Sequence, residues 1–290
     1  MKDYAALSER MQRIARRLPP ELLSGAAEHD LEDEILTGLG AEPEDRLLGF
    51  YTEAGVLAAL EAYGILDGMR HRGYSRFEVR FELEDFTHTM KVLSDGLVTC
   101  ECKLRRVRGA SDPCIAAFQR DLLPDLLDVE WLSLSDPKAQ FSPERPRLPG
   151  QDTPGSGLGA EVFITLVIAA RRLGLHGLIE VPERFHNAVF YQNGPRFLDP
   201  VFQGRFEALS ELVKHHPLAE VAWALEQGRV VDVGDGDAPI LWAPREQLYP
   251  LDPRLTRYFE LPAWRRARSD ARRRCRPRIL PAQSGDRLLA

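Results

Sequence analysis

Three alternating glycines, at positions 155, 157 and 159, limit how this chain can fold more than any other feature of the sequence. Alternating glycines cost backbone entropy unless a turn, close packing or a ligand requires them. They stand directly before an apolar segment that is too long for one strand and that ends at Arg171, Arg172 and Gly174. We therefore predict a helix that begins in a glycine loop. The first amides of such a helix lack acceptors within it and lie at the positive end of its dipole, so the loop is expected to contact a phosphate or another anion.

The segment after this predicted helix continues with a short strand and a second helical piece. The strand has the core Leu178-Ile179-Glu180-Val181, and the helical piece carries Asn187 to Tyr191. Loop, helix, strand and tyrosine-bearing helix in this order resemble the acyl-CoA-binding half of the GCN5-related N-acetyltransferase (GNAT) superfamily. The resemblance is closest between Gln151 and Phe197.

Two motifs carry the resemblance. The family's loop has the pattern Gln/Arg-x-x-Gly-x-Gly/Ala, and Gly157-Leu158-Gly159 matches its end, with Pro154 at the Gln/Arg position. The alternative frame, Gly155-Ser156-Gly157, puts Asp152 there instead. Since neither frame supplies the usual side chain, phosphate contact is expected from backbone amides, and Arg145 or Arg147 would be the nearest upstream cations. The family's later Asn-x-x-Ala-x-x-x-Tyr-x-x-x-Gly-Phe segment is matched, with shifted spacing, by Asn187, Ala188, Tyr191, Gly194 and Phe197.

The resemblance implies a function and a role for the matched positions. The chain would be an N-acyltransferase that moves an acyl group from acetyl-CoA or another acyl-CoA to an amine of a small molecule or protein. Tyr191 would protonate the departing CoA thiolate. Asn187 would contact the cofactor, or alternatively cap the helix. The backbone amides expected to hold the CoA pyrophosphate belong to Gly155, Ser156, Gly157, Leu158, Gly159 and Ala160.

A general base for the acceptor amine is not defined by residue spacing. His186 is one candidate, because an imidazole titrates near neutral pH. Glu180 and Glu183 flank the end of the predicted strand and are further acidic groups in this segment. A non-catalytic interaction or regulatory module that keeps the fold but has lost the cofactor remains the alternative, and the absent Gln/Arg favours it.

A dinucleotide-binding pattern competes with the acyl-CoA interpretation. Gly155-x-Gly157-x-x-Ala160 fits the pattern for NAD(P) or FAD, and Glu180 follows about 20 residues later, where a ribose-binding acid is expected. That pattern requires a buried strand directly before the first glycine. The preceding residues, SPERPRLPGQDTP, are polar and rich in proline. The context therefore argues against a dinucleotide site.

The surrounding sequence predicts an α+β domain over residues 47–215, with a largely antiparallel, GNAT-like mixed sheet flanked by helices. Helical spacing from Thr52 to Arg72 precedes strict alternation from Phe77 to Leu83, and Asp95-Gly96 is a hairpin signal between two further strands. Val129 to Leu134 is the strand expected before the loop. The proline-rich insertion at residues 135–151 is interpreted either as a substrate lid or as a rigid cover.

Two extensions flank this domain. Residues 1–46 hold an amphipathic helix over 2–18, which needs a partner surface on its own domain or on a second subunit, and an acidic connector with a short helix around 31–36. Residues 216–290 form a C-terminal extension. After Pro262 it is rich in arginine and is predicted to be an exposed arm, which is either a solvated helix or a clamp on the chain's own acidic segment from Glu28 to Asp45, in preference to a nucleic-acid-binding arm.

Composition narrows the class of protein. The net charge of −6 argues against a polyanion binder. The four cysteines include no C-x-x-C pair, so no metal site is expected and the thiols are expected to be reduced, as in a cytoplasmic protein. The apolar run from Val162 to Ala170 is shorter than the roughly 20 residues that a membrane span needs. We expect a cytoplasmic protein without membrane contact.

Overall fold

The computed structural model of the protein describes residues 4–25, 45–120, 123–191 and 194–281. The fold is mixed α+β, with a mostly antiparallel open sheet flanked by helices. The helices are α1 Tyr4–Ala15, α2 Pro20–Ser24, α3 Glu53–Ala62, α4 Ile65–Arg70, α5 Ala116–Gln119, α6 Gly159–Arg172, α7 Phe185–Phe190, α8 Pro200–Leu212, α9 Leu218–Glu226, α10 Pro253–Glu260 and α11 Pro262–Arg274. The strands are β1 Phe77–Leu83, β2 His88–Ser94, β3 Leu97–Arg108, β4 Asp125–Leu134, β5 Gly177–Glu180, β6 Arg196–Phe197, β7 Val230–Asp232, β8 Ala238–Pro239, β9 Gln247–Pro250 and β10 Pro277–Ile279.

The chain forms two compact units whose segments alternate along the sequence. The first unit consists of residues 1–107, 127–138 and 155–175. The second consists of residues 108–126, 139–154 and 176–290. The glycine loop and α6 therefore belong to the first unit, whereas β5 and α7 belong to the second.

The first unit contains an antiparallel meander. Its strands follow the order β1, β2, β3, β4. Asp95 and Gly96, both with positive φ (52° and 83°), form the tight turn that the sequence predicted between β2 and β3. The predicted helical segment divides into α3 and α4 at Gly64, whose φ of 77° ends the first helix. Strand β4 begins at Asp125 and not at Val129, so the prediction for its start was wrong.

The N-terminal helix α1 packs within the first unit. Met11 is fully buried, and the Arg172 Nη2 group at the end of α6 donates a hydrogen bond of 2.8 Å to the carbonyl oxygen of Ala15. The surface that covers the apolar side of α1 therefore includes α6 of the same chain. The predicted connector helix around 31–36 lies outside the described residues.

The second unit contains the other edge of the sheet. The first residues of β4 lie beside β5, and β9 is inserted between β5 and β6, antiparallel to both. A cluster of edge-to-face aromatic rings, Phe185, Phe197, Phe206 and Trp242, forms much of the core. Strand β9 comes from residues that we had assigned to a C-terminal extension, so that extension contributes directly to the sheet.

The arginine-rich C-terminal segment is a packed helix and not an exposed arm. Trp264 of α11 is buried, and its indole N–H donates to the carbonyl oxygen of Leu198. Along α8, Arg268 binds Glu207 at 2.7 Å and Arg272 binds Glu211 at 3.0 Å. Both acids lie in α8, whereas the acidic segment that we expected the arm to clamp lies, except for Asp45, outside the described residues. Strand β10 then pairs with β7.

Candidate functional site: the glycine loop and the β5–α7 segment

The glycine loop is fixed to the end of β4. Gly155 forms an isolated antiparallel bridge with Ser135, and the Ser156 N–H donates to the carbonyl oxygen of Leu134 at 3.3 Å. Gly157 has φ of 67°, a conformation that favours glycine. The chain then turns into α6, which begins at Gly159 with Leu158 as its N-cap residue. The predicted loop and helix start are therefore present.

Two side chains of the loop itself, Leu158 and Ser156, are buried and hold it in place. Leu158 packs on Gly68 of α4, where an added Cβ would lie only 2.8 Å from the leucine side chain. Ser156 is 2% exposed, and its Oγ accepts a long hydrogen bond of 3.4 Å from the Leu158 N–H. The amides of Gly159 and Ala160 lie in the first turn of α6, where no acceptor within the helix can reach them. They are the amides that an anion at this helix start would contact.

A cation lies beside the loop although the loop itself contains none. The Arg72 Nη2 atom, just after α4, lies 3.3 Å from the position that a Cβ on Gly157 would occupy. The guanidinium also contacts the carbonyl oxygen of Gly68 and lies 4.0 Å from the carboxylate of Asp136. Sequence analysis missed Arg72, since nothing local to the loop connects it with a residue so far upstream. Arg72 places a guanidinium beside a loop whose own sequence contains no cation.

A buried acid stands close to the same helix start. Glu161 is in the first turn of α6 and is 7% exposed. A negative side chain there is favoured by the helix dipole, as a bound anion would be. Glu161 therefore competes electrostatically with an anionic ligand, and Arg72 opposes that effect.

His186, in the second unit, is buried inside α7. It is 5% exposed, its ring meets Phe190 edge to face, and its Nδ1 atom has no hydrogen-bond partner among the described residues. Burial, and then the charge of Arg184, lower the pKa of this imidazole to about 4. The side chain is therefore neutral at physiological pH and is a weaker base than the sequence suggested.

Asn187 is the third residue of α7, and Tyr191 follows the last residue of this helix. The helix begins at Phe185 with Arg184 as the N-cap residue, so Asn187 is not the cap that we weighed as an alternative. Tyr191 follows the last helical residue as the C-cap and is half-buried. The structure thus keeps His186, Asn187 and Tyr191 within one short helix and its cap, in the unit that does not contain the glycine loop.

The end of β5 places two further polar side chains opposite each other. Glu180 pairs across the strands with Gln247 of β9, so both side chains lie on one face of the sheet. Gln247 is 1% exposed, and neither its amide nitrogen nor its amide oxygen has a partner among the described residues. One carboxylate oxygen of Glu180 is likewise buried without a partner there. Burial raises the pKa of Glu180 to about 8.

The insertion before the loop is anchored and not a detached flap. The Trp223 indole N–H donates to the carbonyl oxygen of Arg147 at 2.9 Å. Leu148 packs on Ala219 and Ala222 of α9. These contacts anchor the part of the predicted insertion (135–151) around Arg147 and Leu148 to α9. This described segment contains no helix or strand, so the strand that a dinucleotide site requires before Gly155 is absent from it.

The described residues form neither a metal site nor a membrane-spanning helix. Within the described ranges there is no group of three or more His, Cys, Asp or Glu side chains that could hold a metal ion. No helix in those ranges is long and apolar enough to cross a membrane. All four cysteines are free thiols. A comparison with protein-family models found no match for this sequence, and a search of curated proteins found none either.

Proposed function

We propose that the protein binds an acyl-CoA and transfers its acyl group to an amine. The observation that carries the proposal is the glycine loop at the start of α6 with Arg72 beside Gly157. Loop, helix, β5 and α7 also follow one another in the order that the GNAT resemblance implies, after an antiparallel meander. The insertion of β9 between β5 and β6 is compatible with that order, because the resemblance requires only the consecutive segment.

The chemistry of the loop suits a diphosphate. Backbone amides at a helix start and one guanidinium provide oriented donors and positive charge, which together stabilise phosphate oxygens. The amides of Gly157, Gly159 and Ala160 would take the oxygens, and Arg72 would neutralise part of their charge. The backbone must approach the ligand closely, and glycine at 157 leaves room for it.

Acyl transfer to an amine also requires two proton movements. The amine nitrogen forms a bond to the thioester carbon, the carbon–sulfur bond breaks, and the thiolate leaves. The proton that the amine loses would pass to water, because Glu180, with its pKa of about 8, holds its own proton at neutral pH. The GNAT resemblance assigns to Tyr191 the proton that the leaving thiolate takes up. His186, with its pKa of about 4, is not assigned a proton transfer.

A second candidate function follows from Glu161. Its buried carboxylate already places negative charge in the first turn of α6. If the Glu161 carboxylate takes the place of the ligand's phosphate at the start of α6, the domain is a non-catalytic module that has kept the fold. The two functions differ in one measurable property, which is affinity for CoA.

Isothermal titration calorimetry with CoA, acetyl-CoA and NAD⁺ tests the proposal on the full chain. Micromolar or tighter binding of both CoA ligands, with none of NAD⁺, is expected. Arg72→Ala should weaken CoA binding about tenfold, because a charged hydrogen bond to phosphate contributes about 1.5 kcal/mol or more. Arg70→Ala is the matched control, because Arg70 ends the same helix but is occupied by Glu61 and Asp67. No heat with millimolar CoA or acetyl-CoA would reject the enzyme and leave the non-catalytic module.

A further inference from the structure

A surface cleft in the second unit is lined by charged side chains that the proposed acyl transfer does not use. Its volume is about 710 Å³, and it lies between the first turns of α8, the C-terminal half of α11 and the turn that follows β7. Small-molecule sites typically have volumes of roughly 300–1,000 Å³, so the cleft is large enough for a metabolite. Arginines and aspartates from these separate elements form most of its polar wall.

The backbone beneath these side chains is tightly fixed. The Arg276 N–H donates to Oδ1 of Asp232 at 2.8 Å, just before β10 pairs with β7. The Val233 N–H donates to the carbonyl oxygen of Arg276 at 2.9 Å. Gly234 lies so close to the end of α11 that an added Cβ would be 2.2 Å from the carbonyl oxygen of Arg274. The backbone positions that carry Arg274 and Arg276 are therefore preorganised, which lowers the entropic cost of binding a ligand there.

Three arginines of the cleft lack a carboxylate partner. Arg205 is in α8, Arg274 ends α11 and Arg276 lies just before β10. None of the three forms an ion pair among the described residues, whereas the fourth arginine of the cleft, Arg273, is paired with Asp270. The helix dipole explains a cation at the end of α11 but not the cations on the other two elements. The cleft therefore offers guanidinium donors that can bind an anionic ligand.

The remaining aspartates of the cleft do not neutralise these arginines. Asp232 holds the turn after β7, because its Oδ1 also accepts from the Gly234 N–H at 2.9 Å. Asp235 is exposed and, within the described ranges, has no cation partner. Unpaired charges of both signs thus line one cleft without contacting each other. A ligand that joins an anionic group to hydroxyl groups would satisfy both, since hydroxyls donate to carboxylates.

The anionic group that suits this arrangement is a phosphate. A phosphomonoester has three terminal oxygens and a charge of about −1.5 to −2 at neutral pH, whereas a carboxylate has two oxygens and one charge. Guanidinium groups bind phosphate through two parallel N–H···O bonds, and several can share its oxygens. Three guanidiniums from three elements therefore match a phosphate better than a carboxylate.

We propose that this cleft binds the phosphomonoester of a small sugar or polyol, with its phosphate on Arg205, Arg274 and Arg276 and its hydroxyls towards Asp235. The site goes beyond the proposed acyl transfer, because it uses no residue of the glycine loop or of the β5–α7 segment. It can be present whether or not the chain binds CoA.

The first experiment is calorimetric titration of the full chain at low ionic strength with glycerol 3-phosphate, ribose 5-phosphate and glucose 6-phosphate. At least one ester should bind with a Kd of about 1 mM or less and at least fivefold more tightly than inorganic phosphate. Glucose should give no heat, and glucuronate should bind at least tenfold more weakly than the tightest ester. No heat from any ester at 10 mM, or an affinity equal to that of inorganic phosphate or glucuronate, would overturn the proposal.

The second experiment locates the phosphate. Arg205→Gln and Arg276→Gln should each weaken binding of the tightest ester at least fivefold, and both positions are exposed, so the variants should fold. Arg266→Gln is the matched control, because Arg266 is exposed on α11, forms no ion pair in the described part of the chain and does not line the cleft. Unchanged ester affinity in both cleft variants would refute the assignment.

The third experiment changes the charge of the cleft without removing an arginine. Val201 lines the cleft in the first turn of α8 and is 43% exposed. Val201→Glu should weaken ester binding at least fivefold relative to Val201→Gln, because only the glutamate repels the phosphate. The helix dipole favours an acid at this position, so the variant should stay folded. Equal ester affinity of the two variants would contradict the proposal.

The fourth experiment separates this site from the glycine loop. Arg72→Ala should leave ester affinity within twofold of the wild type, and Arg205→Gln should do the same for CoA. Ester binding that is lost in Arg72→Ala and kept in Arg205→Gln would place the phosphate at the glycine loop and reject the cleft. Ester binding at the cleft without CoA binding would reject the acyltransferase alone, and the converse would reject the cleft ligand alone.

Discussion

The start of α6 and the end of β5 both present polar groups where a ligand could use them, but they are built on opposite principles. At α6, backbone amides and Arg72 supply positive charge, and the side chains of Ser156 and Leu158 are buried to hold the loop. At β5, the side chains of Glu180 and Gln247 are themselves buried with atoms that lack partners. Anion binding at the start of α6 would depend on backbone geometry and on the helix dipole, so its affinity should vary little with pH. At the end of β5, stability depends on the protonation of a buried carboxyl group, so the free energy of unfolding should vary strongly with pH.

The largest effect is expected from Glu180→Gln on the pH dependence of stability. In the folded state the pKa of Glu180 is about 8, against an ordinary value of 4.5, so the folded chain keeps a proton that the unfolded chain loses between these values. The contribution of Glu180 to the free energy of unfolding should therefore fall as pH rises from about 5 to 8, by about 4 kcal/mol in total. Glu180→Gln should abolish this fall, as measured by urea unfolding between pH 5 and 9.

The control for this measurement is Glu183→Gln, which changes an exposed acid three residues later. It should leave the wild-type pH profile intact. A profile for Glu180→Gln that matches the wild type would mean that the carboxylate is solvated in the folded chain.

The next largest effect concerns His186, whose folded pKa of about 4 lies below the ordinary 6.5. Here the unfolded state binds the proton more tightly, so the free energy of unfolding should decrease as pH falls from 6.5 to 4, by about 3 kcal/mol. His186→Asn should remove that loss at acid pH, whereas His215→Asn, at an exposed position, should not. Urea unfolding from pH 4 to 7 measures both. Since Glu180 acts with the opposite sign, wild-type stability should change least between about pH 5 and 6.5.

A smaller effect is expected from Gly157→Ala, which tests the α6 side of the comparison. The substitution strains a backbone with φ of 67° and should cost about 1 kcal/mol of stability. Gly228→Ala is a matched control, because Gly228 has the same φ with no atom within 4 Å of an added Cβ. Both variants should lose similar stability, but only Gly157→Ala should weaken CoA binding. Equal CoA affinity of the two variants would show that the loop does not contact CoA.

The smallest expected effect is the pH response of CoA binding itself. Because amides and a guanidinium do not titrate near neutrality, CoA affinity should vary less than threefold between pH 6.5 and 8.5. Titration calorimetry in buffers with matched ionization enthalpies measures this. A tenfold change in that range would show that a titrating side chain contributes to the phosphate site, and the contrast between the two regions would be smaller than the structure indicates.

Local patterns predicted the first unit well. Gly64 ends a helix and Asp95-Gly96 makes a tight turn, because both depend on the backbone preferences of the residues themselves. The glycine loop and α6 were predictable for the same reason. Strand β9 was not, since its residues become a strand by pairing with β5 and β6, which are distant in sequence.

The backbone of the candidate site was predictable from the sequence. The side chains that bring charge to it, and the pKa values of its buried groups, were not. No sequence rule could place Arg72 beside Gly157, because that contact joins separate elements. The pKa values of Glu180 and His186 depend on burial, which a residue type does not specify. The arginine-rich helix α11 was misjudged because its few apolar residues did not indicate that Trp264 anchors it.

The alternation of segments between the two units has a consequence for how the protein is made. A nascent chain that has left the ribosome as far as residue 107 still lacks β4 and α6, which complete the first unit. The second unit in turn waits for residues up to β10. The first unit can therefore close once residue 175 has been made, before the second is complete, but neither unit can be obtained as an intact fragment by a single cut.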